Sequence, residues 1–176
     1  MNLKTTGMVR RVDGLGRIVI PKEIRKVLKI KENEQVEINV HDDKIVLNRY
    51  SELDEYDISL EKLIEAVKDI YDKDILITNL NSFVLTSNSY KNLIGLEISP
   101  YLNDILETRK DIFENSVCSL SLNETIDDIE TSYLIKTIIK NGDTIGLLVF
   151  LSDKTIENSD LKVFELVNSF LDKYIE

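Results

Sequence analysis

The sequence of 176 residues predicts two folded parts, a β-rich N-terminal domain of about 50 residues and an α+β domain with an antiparallel sheet from residue 58 onward. Three observations lead there. Charge is divided unevenly: residues 1–31 hold nine basic and two acidic side chains, the remainder 13 basic and 30 acidic, within an overall charge of −10. Residues 34–40 alternate apolar and polar side chains with the period of a half-buried strand. Past residue 58, apolar residues recur first at helical spacing and then in strand-length runs bounded by turn residues. The charge asymmetry suggests a segment made to meet a polyanion, attached to a body that avoids one.

In the N-terminal part, VRRV and RIVI flank DGLG, whose two glycines tolerate positive φ, so two short strands joined by a turn are expected over residues 9–20. Pro21 ends the second strand and suits the first position of a helix, where its missing N–H is no loss. In KEIRKVLK, Ile24, Val27 and Leu28 share one face, with Lys22, Arg25, Lys26 and Lys29 opposite. EQVEINV places Val36, Ile38 and Val40 on one side of a strand and Gln35, Glu37 and Asn39 on the other; HDDK then turns the chain into IVLNRY. Four strands and a helical turn or two bury too little surface to be secure alone, so oligomerisation is expected.

SELDEYD, residues 51–57, reads as polar linker, giving domains 1–52 and 58–176 with 53–57 between them. In the next helix Leu60, Ile64, Val67 and Tyr71 have the 4-3-4 spacing of a pairing seam, to be used against its own domain or a second subunit. Strands follow at DILITNL and FVLTS, a helical stretch at 101–109, a strand at VCSLSL, and two long apolar runs joined by Asn141-Gly142, a pair suited to a type I′ hairpin turn. A final helix from about Ser159 repeats apolar residues at Val163, Val167, Phe170 and Tyr174.

Composition narrows the function. The 43% hydrophobic content is enough for a core, yet the longest apolar run, GLLVFL, is strand-sized and no N-terminal stretch resembles a signal peptide, so a cytoplasmic protein is expected. One cysteine, Cys118, makes no internal disulfide, and one histidine, His41, beside a turn, makes no metal centre. No acid–base pair, nucleophile or Gly-rich phosphate loop stands out, and acidic runs such as IDDIE solvate a surface, so neither catalytic nor metal residues are expected. Arg10, Arg11, Arg17, Lys22, Arg25 and Lys26, by contrast, combine on a hairpin and a short helix. Such a cluster neutralises phosphates and releases counterions, and arginine can also fork to a guanine edge. DNA binding is the expected activity.

TGMVRRVDGLGRIVIPKEIRKVLKI, residues 6–30, closely resembles the AbrB-type transition-state regulators, a swapped-hairpin DNA-binding family, and NEQVEINVHDDKIVLNRY extends the resemblance through Tyr50. The resemblance implies that two chains interleave their hairpins into one dimeric all-β barrel. It places Arg10, Arg11, Arg17, Arg25 and Lys26 at DNA-facing positions, Asp13 and Gly16 in the loop, and Pro21 at the strand-to-helix corner. Lys26 stands where many relatives carry arginine, which keeps phosphate attraction but loses bidentate geometry. The order of elements in 58–176 is similar to that of GAF domains, so the chain resembles sporulation regulators that join an AbrB-type domain to a C-terminal GAF domain. That resemblance implies promoter DNA as partner, action on sporulation genes in the nucleoid of the forespore, no enzymatic activity, and either an unidentified small ligand or an assembly role for the GAF-like part. A homotetramer is expected through pairing of helices 58–72 and 159–175. The alternative is an antitoxin-like interaction module on the same swapped-hairpin barrel.

Overall fold

The computed structural model describes residues 7–28, 30, 36–42, 44–49, 53 and 58–175. Lys4, Lys29, Lys31, Gln35 and most of the expected linker lie outside the described residues. The chain divides into two units, Met1–Tyr50 and Ser51–Glu176.

The first unit contains helix α1 (Lys22–Val27) and a hairpin of β1 (Val36–His41) and β2 (Lys44–Arg49), with Ile38 opposite Leu47 and Val40 opposite Ile45. Asp42 takes φ 56° in the turn, and the side chain of His41 is exposed, 3.2 Å from the Asp42 carboxylate. The strands expected at 9–12 and 17–20 are absent from this single chain: neither segment is a strand, although the turn between them forms. A ladder needs a partner strand, and none is supplied to these segments among the described residues. Their apolar side chains stand open to solvent, Val9 84% and Val19 75% exposed, as does Val40 on the hairpin at 76%. Val27 and Leu28 on the apolar side of α1 are also exposed. A second departure concerns Pro21, which is the N-cap of α1 with φ −57° and ψ 146°, rather than its first helical residue. Its carbonyl accepts from Arg25 N at 3.0 Å, so the corner is still set by proline.

The second unit has three layers. Its sheet, in the order β4 (Phe83–Thr86), β3 (Asp74–Thr78), β7 (Asp143–Ser152), β6 (Ile129–Lys140), β5 (Ile112–Leu120), is antiparallel at every pairing. Helices α2 (Ile58–Tyr71) and α4 (Asn158–Ile175) cover one face, burying Leu60, Ile64 and Val67 with Val163, Val167 and Leu171 against Leu148 and Phe150. A 3-10 helix (Asn88–Leu93) and α3 (Pro100–Thr108) supply Leu93, Leu102 and Ile105 to the other face, against Leu147, Val149 and Leu151. Alternation along β7 therefore feeds two cores, which is why GLLVFL is apolar without interruption. Ser99 caps α3 by accepting from Leu102 N at 3.2 Å, with Pro100 next.

The expected hairpin at Asn141-Gly142 is present, with φ 52° and 88°. The α2 seam is spent inside its own domain for Leu60, Ile64 and Val67, while Tyr71 is exposed. On α4 the buried stripe runs Val163, Val167, Leu171, leaving Phe170 partly exposed, so the expected continuation at Phe170 is corrected by one position. Leu53, placed by sequence reading in the linker, is buried in the core of the second unit. Cys118 is a half-buried free thiol on β5 opposite Thr131.

Candidate nucleic-acid interface

Five residues, Asp13 to Arg17, form a closed tip at the start of the basic segment. Asp13 N donates to Arg17 O at 3.0 Å and Gly16 N to Asp13 O at 3.0 Å, which closes the turn; Gly16 sits at φ +80°, a region that favours glycine. The Asp13 side chain finishes it. Its Oδ1 accepts from Leu15 N and Arg17 N, both at 2.9 Å, and its Oδ2 from Arg17 Nε at 2.8 Å. The backbone hydrogen bond from Arg17, followed by its side-chain bond, holds the Asp13 carboxyl below the usual carboxylate range. The side chain of Arg17 is nonetheless 72% exposed.

Each expected interface cation is exposed. Arg10 and Arg11 precede the tip, with Arg10 Nη1 donating to Val9 O at 2.9 Å, and Arg17 follows it. Lys22, Arg25 and Lys26 lie within α1, where i, i+3 and i, i+4 spacing puts the latter two beside Lys22 on one helical face. Lys22 stands in the first turn, where the helix dipole disfavours a cation, with Glu23 next to it. Cations and open apolar side chains thus occupy the same small unit: one set suits phosphates, the other a protein partner. Sequence reading assigned Asp13 to the loop without its carboxylate bonds. The spacing of an Asp four residues before an Arg across a Gly-containing turn was the available signal.

In the second unit a cavity of about 310 Å³ lies beside the C-terminal turn of α2, lined by Lys68, Asp72, Asp74, Tyr90, Glu130, Thr131, Leu151, Ser152 and Asp153. Lys68 Nζ binds Asp72 Oδ1 at 2.8 Å and Asp74 Oδ2 at 3.1 Å. Those hydrogen bonds, Asp72 first, raise the Lys68 pKa, and Lys68 lowers that of Asp72. Lysine and carboxylates answer one another here. Among the described residues no cluster of His, Cys, Asp or Glu could hold a metal ion, and no helix is long and apolar enough to cross a membrane.

Comparison with known proteins divides at the same boundary. Residues 52–176 match the family model described as stage V sporulation protein T C-terminal, transcription factor. Stage V sporulation protein T of Bacillus subtilis is 34% identical over 177 residues, covering 99% of both chains. The chain belongs to this family. Residues 9–52 match the model described as antidote-toxin recognition MazE, bacterial antitoxin. The transition state regulatory protein AbrB of Bacillus subtilis is 54% identical over 50 residues, 28% of this chain and 52% of that protein. The N-terminal unit is thus AbrB-like, as its motif suggests. In fold alone, the chain is similar to residues 122 to 287 of a methyl-accepting chemotaxis protein, with a TM-score of 0.50 at 17% identity over 70% of this chain and 88% of that one.

Proposed function

We propose that this chain is a homo-oligomeric transcription regulator that binds promoter DNA of sporulation genes through its N-terminal unit. One observation carries the reading: the unit that collects Arg10, Arg11, Arg17, Lys22, Arg25 and Lys26 also leaves its apolar residues uncovered in the single chain. Water-exposed Val9, Val12, Ile18, Val19, Ile38 and Val40 are the core of something larger. Two such units interleaving their hairpins into a swapped-hairpin barrel would pair the segments 9–12 and 17–20 and bury these side chains. The same act would double the cations facing one DNA duplex. Few side chains per subunit are available for base edges, so part of the selectivity comes from DNA shape.

The second unit, GAF-like in its layout, modulates binding through assembly or a small ligand. Ile58, Ile70 and Tyr71 on α2 and Leu166 and Phe170 on α4 remain exposed outside the packed seam, which supports pairing of these helices into a tetramer. Two DNA-binding dimers on one assembly raise apparent affinity through effective concentration. The setting of this reading is the cytoplasm, and it contains no catalytic step. An antitoxin reading draws on the match at residues 9–52. The relation to a transcription-factor family along the whole length outweighs it.

Sedimentation of the full chain tests the oligomer and the DNA reading together. The expected result is a dimer or tetramer at micromolar concentration, with two chains or more bound per duplex. A monomer that binds promoter DNA at full affinity contradicts it.

A further inference from the structure

We propose that Asp13 is a positioning residue of the DNA interface, holding Arg17 in one direction so that its guanidinium distinguishes DNA sequences. The inference rests on the first unit being the DNA-binding part. A carboxylate on a surface made for a polyanion is otherwise a defect: it repels phosphate and cancels one cation. Asp13 is one of only two acidic residues among the first 31, and it stands at the start of the turn closed by Arg17.

Its geometry supplies the reason. Both carboxylate oxygens are engaged, Oδ1 by the backbone N–H groups of Leu15 and Arg17 and Oδ2 by Arg17 Nε. The same carboxylate therefore fixes the backbone on which Arg17 stands and the inner edge of its guanidinium. Nε is the nitrogen nearest the stem, so the bond at 2.8 Å leaves the Nη pair as an outward fork. Such a fork matches O6 and N7 of guanine. Among the described residues Arg17 is the one interface cation paired with a carboxylate; Arg10 bonds its neighbour's carbonyl, and Arg11, Lys22, Arg25 and Lys26 form no ion pair. Mobile cations serve phosphates, which occur at every step along DNA. A held arginine loses less freedom when it meets a base, and it fits one direction better than others.

Asp13→Asn tests this, because the amide Oδ1 still accepts from the backbone of the tip while the charge facing Arg17 Nε is gone. The probes are a duplex selected from a random DNA pool by the unmodified full chain, and the unselected pool. Positioning predicts that affinity for the pool is unchanged or rises severalfold, since one anion per subunit has been removed, while preference for the selected duplex falls by about tenfold. Unchanged preference overturns the proposal. So does a fall on both probes together with loss of oligomer mass, which marks Asp13 as a support of the turn alone.

Nitrogen-15 relaxation at the arginine Nε sites of the unmodified chain, free of DNA, tests the same point without a substitution. Arg17 Nε is expected to be restricted relative to Arg25 Nε, and equal mobility overturns the proposal. If the unmodified chain binds neither probe, the DNA-binding reading itself fails and this inference falls with it. Tight binding without sequence preference keeps that reading and overturns the inference alone.

Discussion

Arg17→Glu is expected to abolish measurable binding to promoter DNA at physiological salt while leaving the oligomer assembled. The Arg17 side chain is 72% exposed at the end of the turn, so its replacement removes no core packing. The Asp13 Oδ1 bonds to Leu15 N and Arg17 N are made to backbone and survive the change of side chain. Glutamate at this position adds a second anion beside Asp13 and turns attraction to phosphate into repulsion. With a good arginine contact worth about 1–3 kcal/mol, loss at both subunits of a dimer weakens binding by roughly 30-fold to 20,000-fold. Fluorescence anisotropy with labelled promoter DNA measures the loss, and sedimentation checks the assembly. Arg17→Ala should move affinity in the same direction by less. Normal binding by the charge-reversed protein would place the interface elsewhere.

Gly146→Ala is expected to be the most damaging single-methyl change in the second unit. A Cβ built on Gly146 meets the backbone oxygen of Thr78 at 1.9 Å and Leu53 Cδ1 at 2.8 Å. Thr78 belongs to β3, and its neighbour in the register is Leu147 on β7 at the middle of the sheet. Backbone cannot step aside as a side chain can, so β3 and β7 must separate and both cores loosen. Overpacking with backbone displacement costs about 3 kcal/mol or more, at or beyond the top of the usual 1–3 kcal/mol range, a large part of the roughly 5–15 kcal/mol that holds a typical domain. Urea unfolding followed by far-ultraviolet circular dichroism should show the midpoint falling sharply, or no soluble protein at all. A shift below about 0.5 kcal/mol, the range of neutral surface changes, contradicts the close approach. Gly95→Ala is the control: φ is +81° there with open space around it, so only backbone strain is added.

These two sites mark what the sequence makes legible. The basic cluster is visible as composition, because charge needs no partner to be read. Asn141-Gly142 is visible as a turn since its chemistry is local, and the buried positions of α2 follow from helical periodicity. What escaped depends on a second body. Segments 9–12 and 17–20 have strand chemistry, yet without a partner they form no ladder, and the chain alone shows a turn between two unpaired arms. Leu53 reads as linker because its neighbours are polar, and only the space beside Gly146 and Thr78 makes it core. β5 starts at Ile112, five residues before the apolar run at Val117, because an edge strand with a register shift between Glu114 and Cys118 does not alternate cleanly. Gly146 belongs to the same lesson: it reads as the first residue of the apolar run GLLVFL, whereas close approach of β3 explains it.

The central claim is that the cations of the N-terminal unit meet DNA phosphates, and the salt dependence of binding tests it most directly. Affinity of the full chain for promoter DNA would be measured between 50 and 200 mM salt. With about six to eight phosphates engaged per dimer, log affinity should fall against log salt with a slope of roughly −5 to −7, a loss of about a thousandfold to ten-thousandfold across that range. Binding that does not change with salt, or no binding even at 50 mM, contradicts the account.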